Sequence, residues 1–155
     1  MPIELQPNPS TASGYYAAQF DLESRFGVLN IARWSQLDPT QVDSNGNPLD
    51  DVPRIQASLD YADSEINNNF RNGPYAVPLV FNSGGQKAIE WATIIAGNWL
   101  YRGRGDSLDQ DPQGNHYVRQ LAQAYQDMGW YKSGKKQLDA IANLSQTGLP
   151  IVVAV

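Results

Sequence analysis

The strongest pattern in the chain is a helical spacing of apolar residues over residues 52–70. Its apolar members recur every three or four positions: Ile55, Leu59, Ala62, Ile66 and Phe70. Polar residues fill the other faces, as in a helix with one side against a core. Asp50 or Asp51 can cap its start, Pro53 suits its first turn, and Asn72-Gly73-Pro74 ends it.

The same spacing predicts shorter helices over residues 17–26, 29–37, 86–101 and 116–128. Asn115 is expected to cap the helix at 116–128, and Gly129 and Gly134 to interrupt the chain after it. A last short helix is predicted around Leu138, Ile141 and Ala142. We expect one bundle with a shared core: Ile55, Leu59, Ile66, Ile89, Ile95, Trp99 and Leu121.

The two ends of the chain lack this spacing. Residues 1–14 are rich in Pro and small polar residues and predict an extended arm, whereas residues 15–145 are predicted to form the helical domain. In the tail, 146–155, β-favouring residues follow one another and predict a strand that joins another chain's sheet. The residues predicted to contact a partner are Leu149, Ile151, Val152, Val153 and Val155. The fold class is therefore mainly α, with four to six helices, an N-terminal arm and a strand-like tail.

Composition narrows the function classes. The 155 residues include no Cys, which excludes a disulfide framework, a thiolate zinc site and a Cys nucleophile. Eleven basic and sixteen acidic residues give a net charge of −5, so we expect weak duplex DNA binding without sequence preference. No segment predicts a signal peptide or a membrane span.

No set of residues predicts catalysis. His116 is the single histidine and is expected at the surface or at a helix cap, without the G-x-S-x-G elbow of a hydrolase. Residues 82–87 lack the spacing of a phosphate-binding loop and predict a Gly-rich entry to a helix. Asp60, Asp63 and Glu65 are expected on a solvated helix face. We therefore predict no enzymatic activity and no cofactor.

Two loops carry degenerate motifs. In residues 43–51, Asp43, Asn45 and Asn47 alternate like the first ligands of a calcium loop, but the Gly comes too early and the twelfth position is Arg54. Residues 102–106 contain Arg-Gly-Asp and two arginines, too few for a basic patch. We expect no metal site, although a helical regulatory or ligand-binding domain that holds a metal ion in loop 43–51 stays open as the alternative function.

The segment from Tyr16 to Gly27 resembles the opening of the head–tail connector proteins of Mu-like tailed phages. That family begins with a short helix of the type D-L-x-x-R-F-G, then has a second helix and a loop rich in Asp, Asn and Gly. Residues 55–70 are similar to its next helix, of the type I-x-x-A-L-x-x-A-x-x-E-I-x-x-x-[YF]. Tyr75 to Leu79 resembles its Tyr-x-x-Pro-Leu segment, and Trp99 to Arg102 the end of the following apolar helix.

The resemblance covers residues 16–102 and implies a structural virion protein. Such a subunit assembles in the host cytoplasm and forms a homo-oligomeric ring, a dodecamer in this family, at the head–tail junction. The ring binds under the portal protein, links the capsid to a neck or tail-completion protein, and extends the channel through which double-stranded DNA passes. The resemblance implies no catalysis, no cofactor and no membrane. This chain departs from the family in its long N-terminal arm and the Gly-rich insert before Gln86.

Overall fold

The computed structural model describes residues 11–103 and 112–142, and this part of the chain forms a mainly helical bundle. Its helices are α1 (Gln19–Phe26), α2 (Val28–Ser35), α3 (Val52–Phe70), α4 (Gln86–Arg102) and α5 (Pro112–Ser133). None of these described helices is both long and apolar enough to cross a membrane. The prediction of a small helical bundle is confirmed.

Helix α4 lies at the centre of the bundle. It packs against each of the other four helices, and most of its residues are buried, from Ala88 to Tyr101. Gly97 lets α1 pack closely against α4, because an added Cβ at this position would overlap the ring of Phe26 in α1. Burial on more than one side therefore explains the high apolar content of residues 86–101.

The first two helices form a tight pair. In α1 the Asp21 carboxylate accepts a hydrogen bond from the Ala18 N–H at 2.8 Å. Gly27 joins α1 to α2 with φ 98°, a conformation that glycine adopts without strain. Phe26 and Trp34 then contact Tyr117 of α5, with ring centroids 5.6 and 5.4 Å away. This aromatic cluster fastens the pair to the bundle.

Helix α3 begins as predicted and also holds the segment that precedes α1. The Asp51 carboxylate caps it by accepting from the Arg54 N–H at 3.1 Å. Residues 11–14, the end of the predicted arm, pack on this helix: Ala12 is buried and Ser13 exchanges hydrogen bonds with Gln56. The Asp63 carboxylate accepts from the N–H groups of Tyr15 and Tyr16.

Helix α5 differs from the prediction at both ends. It begins at Pro112 and not after Asn115, so Asn115 lies inside the helix and is not its cap. Proline is well tolerated in a first helical turn, where an N–H has no partner to lose. The helix also continues through Gly129 to Ser133 and stops before Gly134, which has φ 88°. A single helix-interior glycine costs only about 1 kcal/mol, which the packing of the flanking turns overcomes.

The predicted helix around Leu138, Ile141 and Ala142 is wrong. These residues are extended, and they pair antiparallel with the 75–82 segment through bridges from Ala142 to Tyr75 and from Ala140 to Phe81. The Ile141 N–H donates to the Val80 carbonyl at 2.8 Å, and the Ile141 carbonyl accepts from the Ala76 N–H at 2.9 Å. These partners are far away in sequence, so the local spacing of apolar residues did not reveal them.

Most of the predicted core is buried. Ile55, Leu59, Ile66 and Ile95 are each no more than 1% exposed. Three others are only partly buried and pack against the core from its edge: Ile89, Trp99 and Leu121. Trp99 therefore keeps part of its surface accessible at the edge of the bundle.

Candidate functional site

Helix α2 and the loop after it expose apolar side chains. Leu29 on α2 is 50% exposed, and Leu37, Val42 and Leu49 in the loop are 42–55% exposed. We name these four residues the α2 face. Ile31, Ala32 and Trp34 fill the opposite side of α2 and are buried. Apolar side chains that a subunit leaves in water are candidates for a surface that another protein covers.

The loop that carries this face is held by its own turns. Asp38 accepts from the N–H and hydroxyl of Thr40, and the Val42–Pro48 bridge closes the loop on itself. The Thr40 hydrogen bonds hold the pKa of the Asp38 carboxyl below its ordinary value. A preformed loop costs less entropy on binding than a mobile one, which suits it to a contact surface.

Asp43 uses its side chain to build this turn. One carboxylate oxygen accepts from the N–H groups of Asn45 and Asn47, at 2.8 and 2.9 Å. This arrangement is an Asx-type turn, in which a side chain replaces a backbone acceptor. Among the described residues, no group of acidic or histidine side chains has the arrangement of a metal site.

Helices α3, α4 and α5 line an open pocket of about 470 Å³. We name it the Arg pocket. Its lining residues are Arg54, Tyr61, Ile95, Asn98, Trp99, Arg102, Gly103, Leu121 and Tyr125. The Arg54 guanidinium stacks over Trp99, with its carbon 4.9 Å from the ring centroid, and Tyr61 lies beside the same ring. The pocket thus combines two cationic groups with an aromatic wall and no carboxylate.

The three carboxylates that were predicted to lie on a solvated helix face differ in how far they are buried. Asp60 is exposed, whereas Asp63 and Glu65 are partly buried. Burial raises the pKa of the Asp63 carboxyl, against the two N–H groups that it accepts from. Glu65 accepts from the Tyr125 hydroxyl, and burial and this carboxylate raise the pKa of Tyr125. Asp63 and Glu65 therefore act as tertiary anchors, and no two of the three are paired for acid–base chemistry.

The other candidate residues make ordinary hydrogen bonds and ion pairs within the bundle. His116 is exposed on α5 and contacts Gln120 at 2.8 Å. In the 82–87 segment, Asn82 and Ser83 donate to the Asp139 carboxylate, and two glycines with positive φ lead into α4. Lys87 reaches Asp127 on α5 at 3.4 Å. The segment is a Gly-rich helix entry, as its spacing predicted.

Residues 1–10 of the predicted arm lie outside the described residues, and so do two further predicted regions. One is the C-terminal set of Leu149, Ile151, Val152, Val153 and Val155. The other is residues 104–106, the Arg-Gly-Asp part of segment 102–106, in which the structure describes Arg102 and Gly103 alone. The partner contact assigned to the tail stays a prediction.

Sequence reasoning missed both surfaces that the fold assembles. A signal for the α2 face was present, because Leu37, Val42 and Leu49 are apolar residues inside a loop of turn formers. The Arg pocket had no such signal, since Arg54, Trp99 and Tyr125 come from three helices. Comparison of the chain with protein-family models, with curated proteins and with solved structures finds no match.

Proposed function

We propose that this chain is a non-enzymatic structural subunit of the head–tail junction of a tailed phage. In this proposal it forms a ring under the portal protein, joins the capsid to a neck or tail-completion protein, and continues the channel for double-stranded DNA. The chain acts by assembling, with no cofactor and no membrane.

The observation that carries the proposal is the order of the family-like segments over residues 16–102. The D-L-x-x-R-F-G segment is α1 and its terminal Gly27, and the helix-like pattern of residues 55–70 lies within α3. The Tyr-x-x-Pro-Leu segment places Tyr75 and Leu79 in the core, at 8% and 1% exposure.

The α2 face gives independent support for a role in assembly. Burial of Leu29, Leu37, Val42 and Leu49 by a partner would lower the free energy, because each buried aliphatic side chain is worth about 1.5–3 kcal/mol. A subunit that is always covered by neighbours gains that energy on assembly. The alternative role, a metal-dependent regulatory domain built on loop 43–51, has no supporting observation in the described residues.

Location in the virion tests the proposal directly. Antibodies raised against the purified chain should label phage particles at the head–tail junction in immunogold electron microscopy. Particles that carry the label on the capsid surface or the tail tip, or that carry no label, would contradict the proposal.

A surface variant ties this function to the α2 face. Leu29→Asp combined with Leu37→Asp should leave the melting temperature of the purified chain unchanged and abolish its incorporation into particles. Val80→Asp is the matched control, because Val80 is an apolar residue of similar exposure outside this face. Equal incorporation of both variants would remove the α2 face from the proposal.

A further inference from the structure

The extended segment 138–142 is paired on one side only. The N–H and the carbonyl of Ile141 both face the 75–82 segment and hydrogen-bond to it. Main-chain groups alternate in direction along an antiparallel strand, so those of Ala140 and Ala142 face the opposite way. No residue in the ranges 11–103 and 112–142 hydrogen-bonds to the N–H or carbonyl of either alanine. The segment therefore offers two donors and two acceptors at its outer edge.

The other edge of this extended pair is closed by tyrosine side chains. The Leu79 N–H donates to the Tyr16 hydroxyl at 2.8 Å, and the Leu79 carbonyl accepts from the Tyr15 hydroxyl at 3.2 Å. A further strand could reach these groups only by displacing both rings. The outer edge of segment 138–142 is thus the one that a further strand can join.

Segment 138–142 also lacks the residues that usually block an edge. It contains no proline and no lysine. Its one charged side chain, Asp139, accepts hydrogen bonds from two side chains of the paired region. One face of the segment is apolar, because Leu138 is buried and Ala140 packs against the core. A strand added at this edge would place every second side chain beside that apolar face.

The C-terminal tail has a composition that suits this edge, and Pro150 limits how it can pair. Residues 151–155 are apolar and mostly β-branched. Proline has no N–H to donate, so Pro150 would have to point its nitrogen away from the edge. In an antiparallel pairing, the odd-numbered residues of the tail would then hydrogen-bond to Ala140 and Ala142 and share their face. These inward-facing residues are the four large ones: Leu149, Ile151, Val153 and Val155.

The length of chain between the edge and the tail permits a contact with a second copy. Six residues, 143–148, separate Ala142 from Leu149, and six extended residues span about 20 Å. Two strands alone are marginal in water, whereas a third strand with an apolar face stabilises a sheet. When each subunit both gives a tail and receives one, the contact is head-to-tail and every edge in a closed ring is covered.

We infer that the tail of one subunit adds as an antiparallel third strand to the outer edge of segment 138–142 in the next copy of this chain. Main-chain hydrogen bonds from Ala140 and Ala142 hold the tail, and its odd-numbered side chains pack on the apolar face. This inference rests on the proposed ring and specifies a lateral contact in it.

Cysteine cross-linking between separate chains tests the contact and its register. The chain has no cysteine, so an introduced pair reports a single contact. Ala142→Cys mixed in turn with Leu149→Cys, Ile151→Cys or Val153→Cys should give, for at least one pair, a mixed disulfide-linked dimer that mass spectrometry identifies. Val152→Cys is the matched control and should not link, because adjacent residues of a strand point to opposite faces.

An edge variant tests the hydrogen bonds themselves. Ala142→Pro removes an N–H that faces outward, whereas Ala142→Ser keeps it. Native mass spectrometry of the full chain should show self-association at least about tenfold weaker for Ala142→Pro than for the wild type. Ala142→Ser should assemble like the wild type, and the melting temperature of both variants in dilute solution should stay unchanged. The cross-link decides the question if the proline lowers the melting temperature.

A chain that carries both Ala142→Cys and Ile151→Cys distinguishes the two sources of the tail. A disulfide that forms only within this double variant, with no link between separate chains, shows that each tail covers its own edge and overturns the inference. A wild type that stays monomeric, an assembled wild type without a link at any odd-numbered position, or an equal link at Val152→Cys also overturns it.

The inference and the proposed function fail in different ways. Immunogold label at the head–tail junction together with no link between chains supports the function and overturns the tail contact. A link between chains with no label at the junction overturns the function and leaves the tail contact as one between copies of this chain.

Discussion

The two helix-interior glycines Gly97 and Gly129 should respond in opposite directions to the same substitution. In a helix that leaves the position free, Gly→Ala gains about 0.5–1 kcal/mol of stability through backbone entropy. Gly129 lies in α5 with nothing within 4 Å of an added Cβ, so Gly129→Ala should gain this full amount. At Gly97 an added Cβ would come closer than 3 Å to three carbons of the Phe26 ring.

The Phe26 ring cannot retreat without breaking other contacts. It is 7% exposed and lies against Trp34 and Tyr117, with centroids 5.3 and 5.6 Å away. Overpacking of this kind costs about 1–3 kcal/mol, which exceeds the helix-propensity gain. An overlap this close places the overpacking cost at about 2–3 kcal/mol, so we expect Gly97→Ala to lower the free energy of unfolding by about 1–2.5 kcal/mol, the difference of these two effects.

Urea unfolding followed by circular dichroism at one fixed protein concentration measures both effects. In thermal unfolding of a chain of this size, each kcal/mol shifts the melting temperature by about 2–4 °C, so the melting temperatures of the two variants should differ by several degrees. Adding Phe26→Leu to Gly97→Ala should cost less than the sum of the single changes, because the smaller side chain makes room. Stabilisation by Gly97→Ala, equal to that by Gly129→Ala, would refute the close packing of α1 on α4.

Three further predictions concern the Asp127 carboxylate, calcium binding and the C-terminal tail. The Asp127 carboxylate is partly buried, which opposes ionisation, but hydrogen bonds from Lys136 and Trp91 hold its pKa below the ordinary 3.8. The contribution of the ionised carboxylate to stability is therefore complete above pH 3.8 and is lost as the pH falls through the lower pKa of the folded state. Asp127→Asn should lower the free energy of unfolding, measured with urea, by about 1–2 kcal/mol at pH 7 and by less at pH 3. Calcium should not raise the melting temperature, and a rise that Asp43→Ala abolishes would revive the metal-binding alternative. Deletion of residues 149–155 should leave helical content and melting behaviour nearly intact and impair incorporation into particles, whereas unfolding of the deleted chain would make this segment part of its own core.

The presence of the main helices could be predicted because it depends on the spacing of apolar residues that are close in the sequence. Residues 52–70 have an apolar residue at every turn, an acidic cap and a proline in the first turn, and α3 has the predicted bounds. The start of α5 was not predictable in the same way. Asn115 is a good cap by residue type, but Pro112 is a good first residue too, and local preference does not choose between them.

The extended 138–142 segment shows where local reasoning fails. Leu138 is 6% exposed and Ile141 is 46% exposed, as expected for a strand, in which residues three apart point to opposite faces; in a helix they would share a face. The decision came from distant partners: the Leu138 N–H donates to the Tyr75 hydroxyl at 2.8 Å, and Ile141 pairs with Val80. A five-residue helix has too few internal hydrogen bonds to compete with such pairing.

The sequence by itself determined the helical class, the main helices and most of the core, because the spacing of apolar residues along a helix is a local property. It also determined the absence of cysteine chemistry and the acidic net charge. Only the tertiary structure decided which surfaces are left for partners. The Arg pocket combines Arg54, Trp99 and Tyr125 from three helices, and the α2 face is apolar surface that the bundle did not cover. Both depend on how the helices pack around α4, and packing joins residues that are distant in the sequence.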